Sequence, residues 1–425
     1  MLSKVDKDGN WRSFRHRNYR ILFPANALSN IGSWAQRVAQ DWLVLQLTDN
    51  SGKWLGIITA IQFAPTLLFS VHGGVLADKV DKRKLLIYTN IIAGLSSLVL
   101  GALVMLDVVQ LWHVMACATV LGIANALDAP IRQAFTSEIV GHSDVANAVS
   151  LNSANFNAGR LVGPAVSGFL IYRFDTGPSF LINGSTYFFV IMALLAMRPE
   201  EFFIQKKEKT AGTVREALSY VRARPDLYVV MICVFFIATF GLNFQIFNAL
   251  MATEAFQKGP AEYGLLGTYI AIGSLSGALL SARLERFRTT NFVMRLGMVF
   301  SAAIMVLAFM PSYLSYSIFL PFCGLTALTT MISANSYVQT HTDHAIRGRV
   351  MGIYLTIFMG GTPFGSPLIG YLMEEIGVRM TVFLCGSIAL VAVAITYYIF
   401  KDKVERPNDL RVSSVLSVEE DYSEN

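Results

Sequence analysis

The chain alternates long apolar runs with short polar ones. The stretch "WLGIITAIQFAPTLLFSVHGGVLA", Trp54 to Ala77, carries no formal charge and is apolar nearly all round, whereas a soluble helix keeps a polar face. It is long enough to cross the roughly 30 Å hydrocarbon core of a bilayer. Asp78, Lys79, Asp81, Lys82, Arg83 and Lys84 follow directly, as charges do where a helix leaves the membrane. Apolar runs of this kind predict twelve spans, near 20–46, 54–77, 85–106, 111–130, 146–171, 178–197, 227–251, 263–283, 292–310, 315–339, 350–372 and 380–400.

The longest break separates six spans from six. The expected fold is therefore an all-α membrane protein of twelve transmembrane helices in two pseudo-symmetric six-helix bundles. The expected units are a cytoplasmic N-terminal segment 1–19, a bundle 20–197, a linker 198–226, a bundle 227–400 and a cytoplasmic tail 401–425. Within the linker, "TVREALSYVRA" reads as a short surface helix with Val214, Leu218 and Val221 on one side. The halves also resemble each other: glycines 159, 163 and 168 recur at 361, 365 and 370, as in transporters built from repeats.

Composition agrees with a membrane protein. The chain is 54% hydrophobic and 15% charged, against about 25% charged in soluble domains. The net charge of +5 reports topology, not a nucleic-acid partner. Loops on one side carry most of the basic residues, while the opposite loops carry only Lys53, Arg173, Lys258 and Arg379. The asymmetry predicts a multi-pass protein of the cell (inner) membrane with both termini cytoplasmic. The basic opening "WRSFRHRNYR" runs into a span rich in polar residues, so no cleaved signal peptide is expected. Cys117, Cys233, Cys323 and Cys385 stand singly in apolar segments and read as packing residues; no metal site is expected.

The first span carries Asn26, Asn30, Ser33, Arg37 and Asp41 on one helical face, and Trp34 in the same span is an aromatic candidate for a cavity wall. Such a face belongs in a water-filled cavity. Arg37 and Asp41, one turn apart, read either as a proton-coupling pair or as a static ion pair near the outer end, and Asp128 is a further proton-coupling candidate. Arg160, midway along the fifth span, must face the interior. Three roles are open to it: an anionic substrate group, a pair with Asp128, or a structural salt bridge. Asn152, Asn155, Asn243, Gln245, Asn248, Asn335 and Gln339 offer hydrogen bonds inside the bundle, and each is commonly an interhelical contact. With Phe156, Phe244, Tyr269, Tyr354 and Phe358 they outline a cavity for amphiphilic molecules.

The loop after the second span resembles the signature of the major facilitator superfamily, G-x-x-x-D-[RK]-x-G-[RK]-[RK], through Gly74, Asp78, Lys79, Lys82 and Arg83, with Asp81 in the place of the glycine. "DAPIRQAFTSEIV" and "RGRVMGIY" resemble the branch of enterobactin-exporter-like and macrolide-exporter-like secretion proteins. Gly159, Gly163, Pro164 and Gly168 resemble the family's antiporter motif, with Ser167 in its penultimate position. The resemblance implies the major facilitator fold, a gating loop that latches the halves, and export by alternating access with proton antiport. Physically, the glycine helix is either a hinge or a close packing seam. The family's helix 4 arginine is not expected, because Arg132 lies beyond the apolar run.

Three functions compete. The first is a secondary exporter of small amphiphilic compounds, drug-like or secreted metabolites, exchanging them for protons. The second is a siderophore or lipid exporter in which Arg160 meets an anionic substrate. The third is a membrane scaffold that transports nothing, against which the intramembrane charges argue. No nucleotide-binding G-x-x-x-x-G-K-[ST] stretch occurs, and no catalytic constellation is visible, so neither cofactor nor enzymatic activity is expected. The expected partners are a small-molecule substrate, protons and membrane lipids, and a monomer suffices.

Overall fold

In a computed structural model the described residues are 9–203, 214–284, 288–344 and 346–404, without the side chains of 70–79, 214 and 401–404. Gly74, Asp78 and Lys79 of the expected gating loop thus lie outside the described residues, as does the middle of the expected linker.

All regular structure among the described residues is helical. The first set comprises α1 (Arg17–Leu47), α2 (Gly52–Lys79), α3 (Lys82–Met105), α4 (Leu111–Val140), α5 (Val145–Phe174) and α6 (Gly177–Leu195). A short α7 (Val214–Ala223) precedes the second set: α8 (Pro225–Phe236), α9 (Phe244–Leu250), α10 (Pro260–Arg283), α11 (Thr290–Ala308), α12 (Tyr313–Thr340), α13 (Arg347–Gly360), α14 (Thr362–Glu375) and α15 (Val378–Val404). Turns are set by local chemistry. The Asp81 carboxylate accepts from the Lys84 amide at 3.2 Å and caps α3, so the residue that replaces the motif glycine works as an N-cap. Gly141 and Gly377 leave α4 and α14 at φ +68° and +84°, where a Cβ would be strained.

Among the described residues, nine helical stretches are long and apolar enough to cross a membrane. α1 and α5 fall outside that group because stripes of Asn, Gln, Arg and Asp run along them, and α13–α14 because the helix is interrupted at Gly361. The span Pro225–Ala255 is continuous only through two π turns, Ile237–Gly241 and Met251–Ala255, which bracket α9. Such turns recur at functional sites.

Within each set the helices pack side by side, α1 on α5 and α6, α2 on α4, α10 on α12, α11 on α15. The sets meet through α2 with α14 and α5 with α10. The glycine repeat is visible in this packing. Built Cβ atoms on Gly159 and Gly163 would come within 3 Å of α1, at Asn30 and Trp34, and those on Gly361 and Gly365 within 3 Å of Thr239, at the π turn after α8. One step further along each helix the contact crosses to the opposite set, Gly168 against Pro260 and Gly370 against Gly52. Equivalent glycines therefore do equivalent work: two seat the helix in its own set and the third allows the sets to touch.

Three expectations change. α7 buries Ala217 and Val221 while Leu218 is 40% exposed, because Tyr220 turns toward Asp343 of the loop before α13. Lys82 pairs with Glu138 at 2.7 Å, and Arg83 donates to the carbonyls of Leu194 and Leu195, so both tie down protein rather than only mark a membrane surface. Arg132 lies inside α4, which runs on beyond the apolar run.

Candidate functional site: two cavities along one helix

α1 borders two cavities stacked along its length. Toward its N-terminal end lies a polar space of about 240 Å³ within the first set, lined by Asn26, Asn30, Thr89, Asn90, Asp128, Arg132, Asn152, Asn155 and Tyr187. Toward its C-terminal end lies a larger space of about 450 Å³ between the sets. Trp34, Arg37, Asp41, Arg160, Asn243, Phe244, Asn248 and Phe358 line the larger one, with Phe63, Gln245 and Tyr263. Phe156 borders both, its ring edge-on to Trp34 at 5.6 Å.

The polar cavity holds a closed network. Arg132 binds Asp128 through Nε at 2.7 Å and through Nη2 at 3.0 Å, and donates to Asn26 Oδ1 at 2.6 Å. Thr89 and Asn90 donate to the same carboxylate at 2.8 and 3.0 Å. Asp128 is therefore satisfied one turn away on its own helix. It does not pair with Arg160, and the arginine not expected in helix 4 is its partner. Asn152 is also engaged, accepting from the Tyr19 hydroxyl at 3.1 Å.

The central cavity is organised differently. Asp41 is 1% exposed, and its Oδ2 accepts from Tyr263 Oη at 2.7 Å and from Gln245 Nε2 at 2.6 Å. Both donors belong to the second set. Arg37, on the same helix, instead lies over the Trp34 ring at 4.7 Å and near Phe63 at 5.6 Å. Arg160 approaches the other side of this cluster, 5.8 Å from the same indole. Among the described residues neither arginine has a carboxylate within ion-pair distance. The Arg37–Asp41 pair of the sequence reading is therefore unmade in this conformation, because the opposite set takes the carboxylate.

Asp41 marks the sealed end of the cavity. Next to it Trp42 stacks on Tyr263 at 6.3 Å; along the seam between the sets Thr268 donates to the Leu161 carbonyl at 3.0 Å, and Glu374 accepts from Ser51 and from the Lys53 amide. Gly56, Gly264 and Gly370 bring backbones of the two sets into direct contact there. Among the described residues, added Cβ atoms on Gly348 and Gly352 of α13 would meet nothing within 4 Å.

Other predicted residues lie elsewhere. Tyr354 is 2% exposed and bonded to the Met331 carbonyl at 3.4 Å, so it is a core residue stacked on Phe358. Asn335 and Gln339 bond each other at 3.2 Å and border neither cavity. Asn243 and Asn248 line the space while engaged to Ser366 and Tyr316. Pro164 lines it where the antiporter-motif helix crosses α10. Cys233, Cys323 and Cys385 are buried in the core.

The family model described as "Transmembrane secretion effector" (MFS_3) matches residues 8–420. The chain belongs to this family. Its members are transporters of the major facilitator type, not enzymes. The chain is similar to the staphyloferrin A transporter of Staphylococcus aureus, with 23% identity over 91% of this chain and 97% of the relative. It is 25% identical to the multidrug efflux pump Tap of Mycolicibacterium fortuitum, over 88% of this chain and 93% of the relative. It is 21% identical to the enterobactin exporter EntS of Salmonella typhi, over 88% and 89%. Among solved structures, it shares its fold with a bacterial homolog of the human lysosomal transporter Spinster, at TM-score 0.73 and 15% identity over 90% of this chain and 96% of the other.

Proposed function

We propose that the protein is a secondary active exporter that moves small amphiphilic compounds out of the cell by alternating access, coupled to inward proton flow. The observation that carries this reading is the 450 Å³ cavity between the two helix sets, apolar over much of its wall yet holding Arg37, Asp41 and Arg160. A permanent scaffold gains nothing from intramembrane charges that are costly to keep. In the proposed arrangement twelve spans form two six-helix bundles, 20–197 and 227–400, joined by the linker 198–226, and one chain contains the whole pathway. Both termini are cytoplasmic, so the end sealed by Asp41, Tyr263 and Glu374 faces outward and the cavity opens inward. Rocking of the sets about the cavity then exposes it alternately to each side. The relatives, a staphyloferrin A transporter, a multidrug efflux pump and an enterobactin exporter, support export of small molecules.

The test is extrusion from inverted membrane vesicles, or uptake into proteoliposomes, of a panel of lipophilic cations, neutral dyes and siderophore-like anions under an imposed proton gradient. Flux of at least one class, abolished by an uncoupler, is expected. Absence of flux with every class, by correctly folded protein, would leave the scaffold reading.

A further inference from the structure

The central cavity contains two cations and one anion, and the anion is already taken. Arg37 and Arg160 both line the space, and both guanidinium groups converge on the Trp34 ring. A guanidinium offers five N–H donors in a planar fork, and a ring face satisfies none of them as a hydrogen bond. One such fork can give a carboxylate two parallel bonds, and the second can donate to a lone pair that remains on it. Around them Phe63, Phe156, Phe244 and Phe358 supply apolar wall for the rest of a ligand.

Asp41 stands one helical turn from Arg37 on α1, the spacing at which an acid and a base on one helix pair. Here it is drawn to Tyr263 and Gln245 of the opposite set. We infer that the cavity takes an amphiphile through its carboxylate, held by Arg37 and Arg160, and that Asp41 competes with that carboxylate for Arg37. The inference rests on the exporter reading and names its substrate class. While the sealed end is closed, Tyr263 and Gln245 hold Asp41 and leave Arg37 to the ligand. When the sets part there, both donors leave with the second set, Asp41 turns to Arg37, and the ligand keeps one arginine instead of two. Loss of one charge-assisted contact weakens binding about tenfold to a hundredfold. Release is thereby favoured on the side to which the sealed end opens. By linkage, a bound carboxylate also favours the sealed conformation.

The experiment measures binding by calorimetry to the full chain in lipid nanodiscs with three probes of one shape: 1-naphthoate, neutral 1-naphthamide and 1-naphthylmethylammonium. Naphthoate is expected to bind at least tenfold more tightly than either other probe, and Arg37→Gln or Arg160→Gln to erase that preference. The double variant Tyr263→Phe with Gln245→Leu, which frees Asp41, is expected to weaken naphthoate about tenfold, and adding Asp41→Asn to restore it. This rescue separates competition from damage to the fold. Equal or tighter binding of the amide or the ammonium, no naphthoate binding at millimolar concentration, or a double variant that leaves naphthoate affinity unchanged would overturn the inference. Because binding is read without transport, a selective carboxylate site in a protein that moves nothing would sink the exporter reading and leave this one standing. Flux with a preference for cations would do the reverse.

Discussion

The Asp128–Arg132 cluster and the Arg37–Asp41–Arg160 cluster are built from the same side-chain types, yet they are wired differently. Among the described residues, Asp128 receives its hydrogen bonds from the first helix set, through Arg132, Thr89 and Asn90. Asp41 receives its two from the second set, and its helical neighbour Arg37 is left over an indole. A network confined to one set keeps its partners when the sets move, whereas one that straddles the seam must exchange them. On the proposed function, the first cluster holds its helix set together and the second takes part in the transport cycle.

The comparison breaks most sharply at Arg132. Arg132→Ala strands a carboxylate only 17% exposed, and removing one member of a buried pair costs about 3 kcal/mol or more. The expected outcome is a large loss of thermal stability in detergent, much of it regained when Asp128→Asn is added. Asp41→Asn should instead leave the melting temperature nearly unchanged, since an amide oxygen still accepts from Tyr263 and Gln245, while flux in proteoliposomes falls at least tenfold. If Asp41→Asn destabilised the protein as much as Arg132→Ala, the two clusters would not differ in kind. Smaller still is Tyr263→Phe. It removes one hydrogen bond worth about 1 kcal/mol, and should raise the population open at the sealed end about fivefold, read by thiol labelling of a cysteine in place of the buried Ser366, which packs against Gly56 across the seam. Unchanged labelling would show that the apolar seam alone keeps that end shut.

Much of the fold was legible because a helix in lipid must satisfy its own backbone and face hydrocarbon, which writes long apolar runs into the chain. The runs blurred where helices line cavities. α1, α5 and α13–α14 are polar or broken, and α4 continues ten residues past its apolar limit near 130, to Val140, carrying Arg132 with it. That arginine stands four residues from Asp128 on one helix, so the spacing pointed to the pair; hydropathy concealed it. α7 shows a different limit: its apolar positions mark two possible faces, and Tyr220 bonding to Asp343 selects the one with Ala217 and Val221. Residues of the central site were legible singly, since Asn26 through Asp41 share one face. Tyr263 gave no local signal, because its role depends on a contact 222 positions away in the chain. The division of that polar stripe into two cavities is likewise a product of packing, made where Phe156 meets Trp34.

The most direct test of the account is to hold the sealed end shut. Cysteines at Ser51 and Glu374, whose side chains meet across the seam, can be bridged by a short bis-methanethiosulfonate and released by reductant, with the substrate flux of proteoliposomes measured before and after. The account predicts that bridging stops flux while ligand binding in the cavity persists, and that reductant restores it. Full flux through protein that is quantitatively bridged would contradict alternating access at this seam.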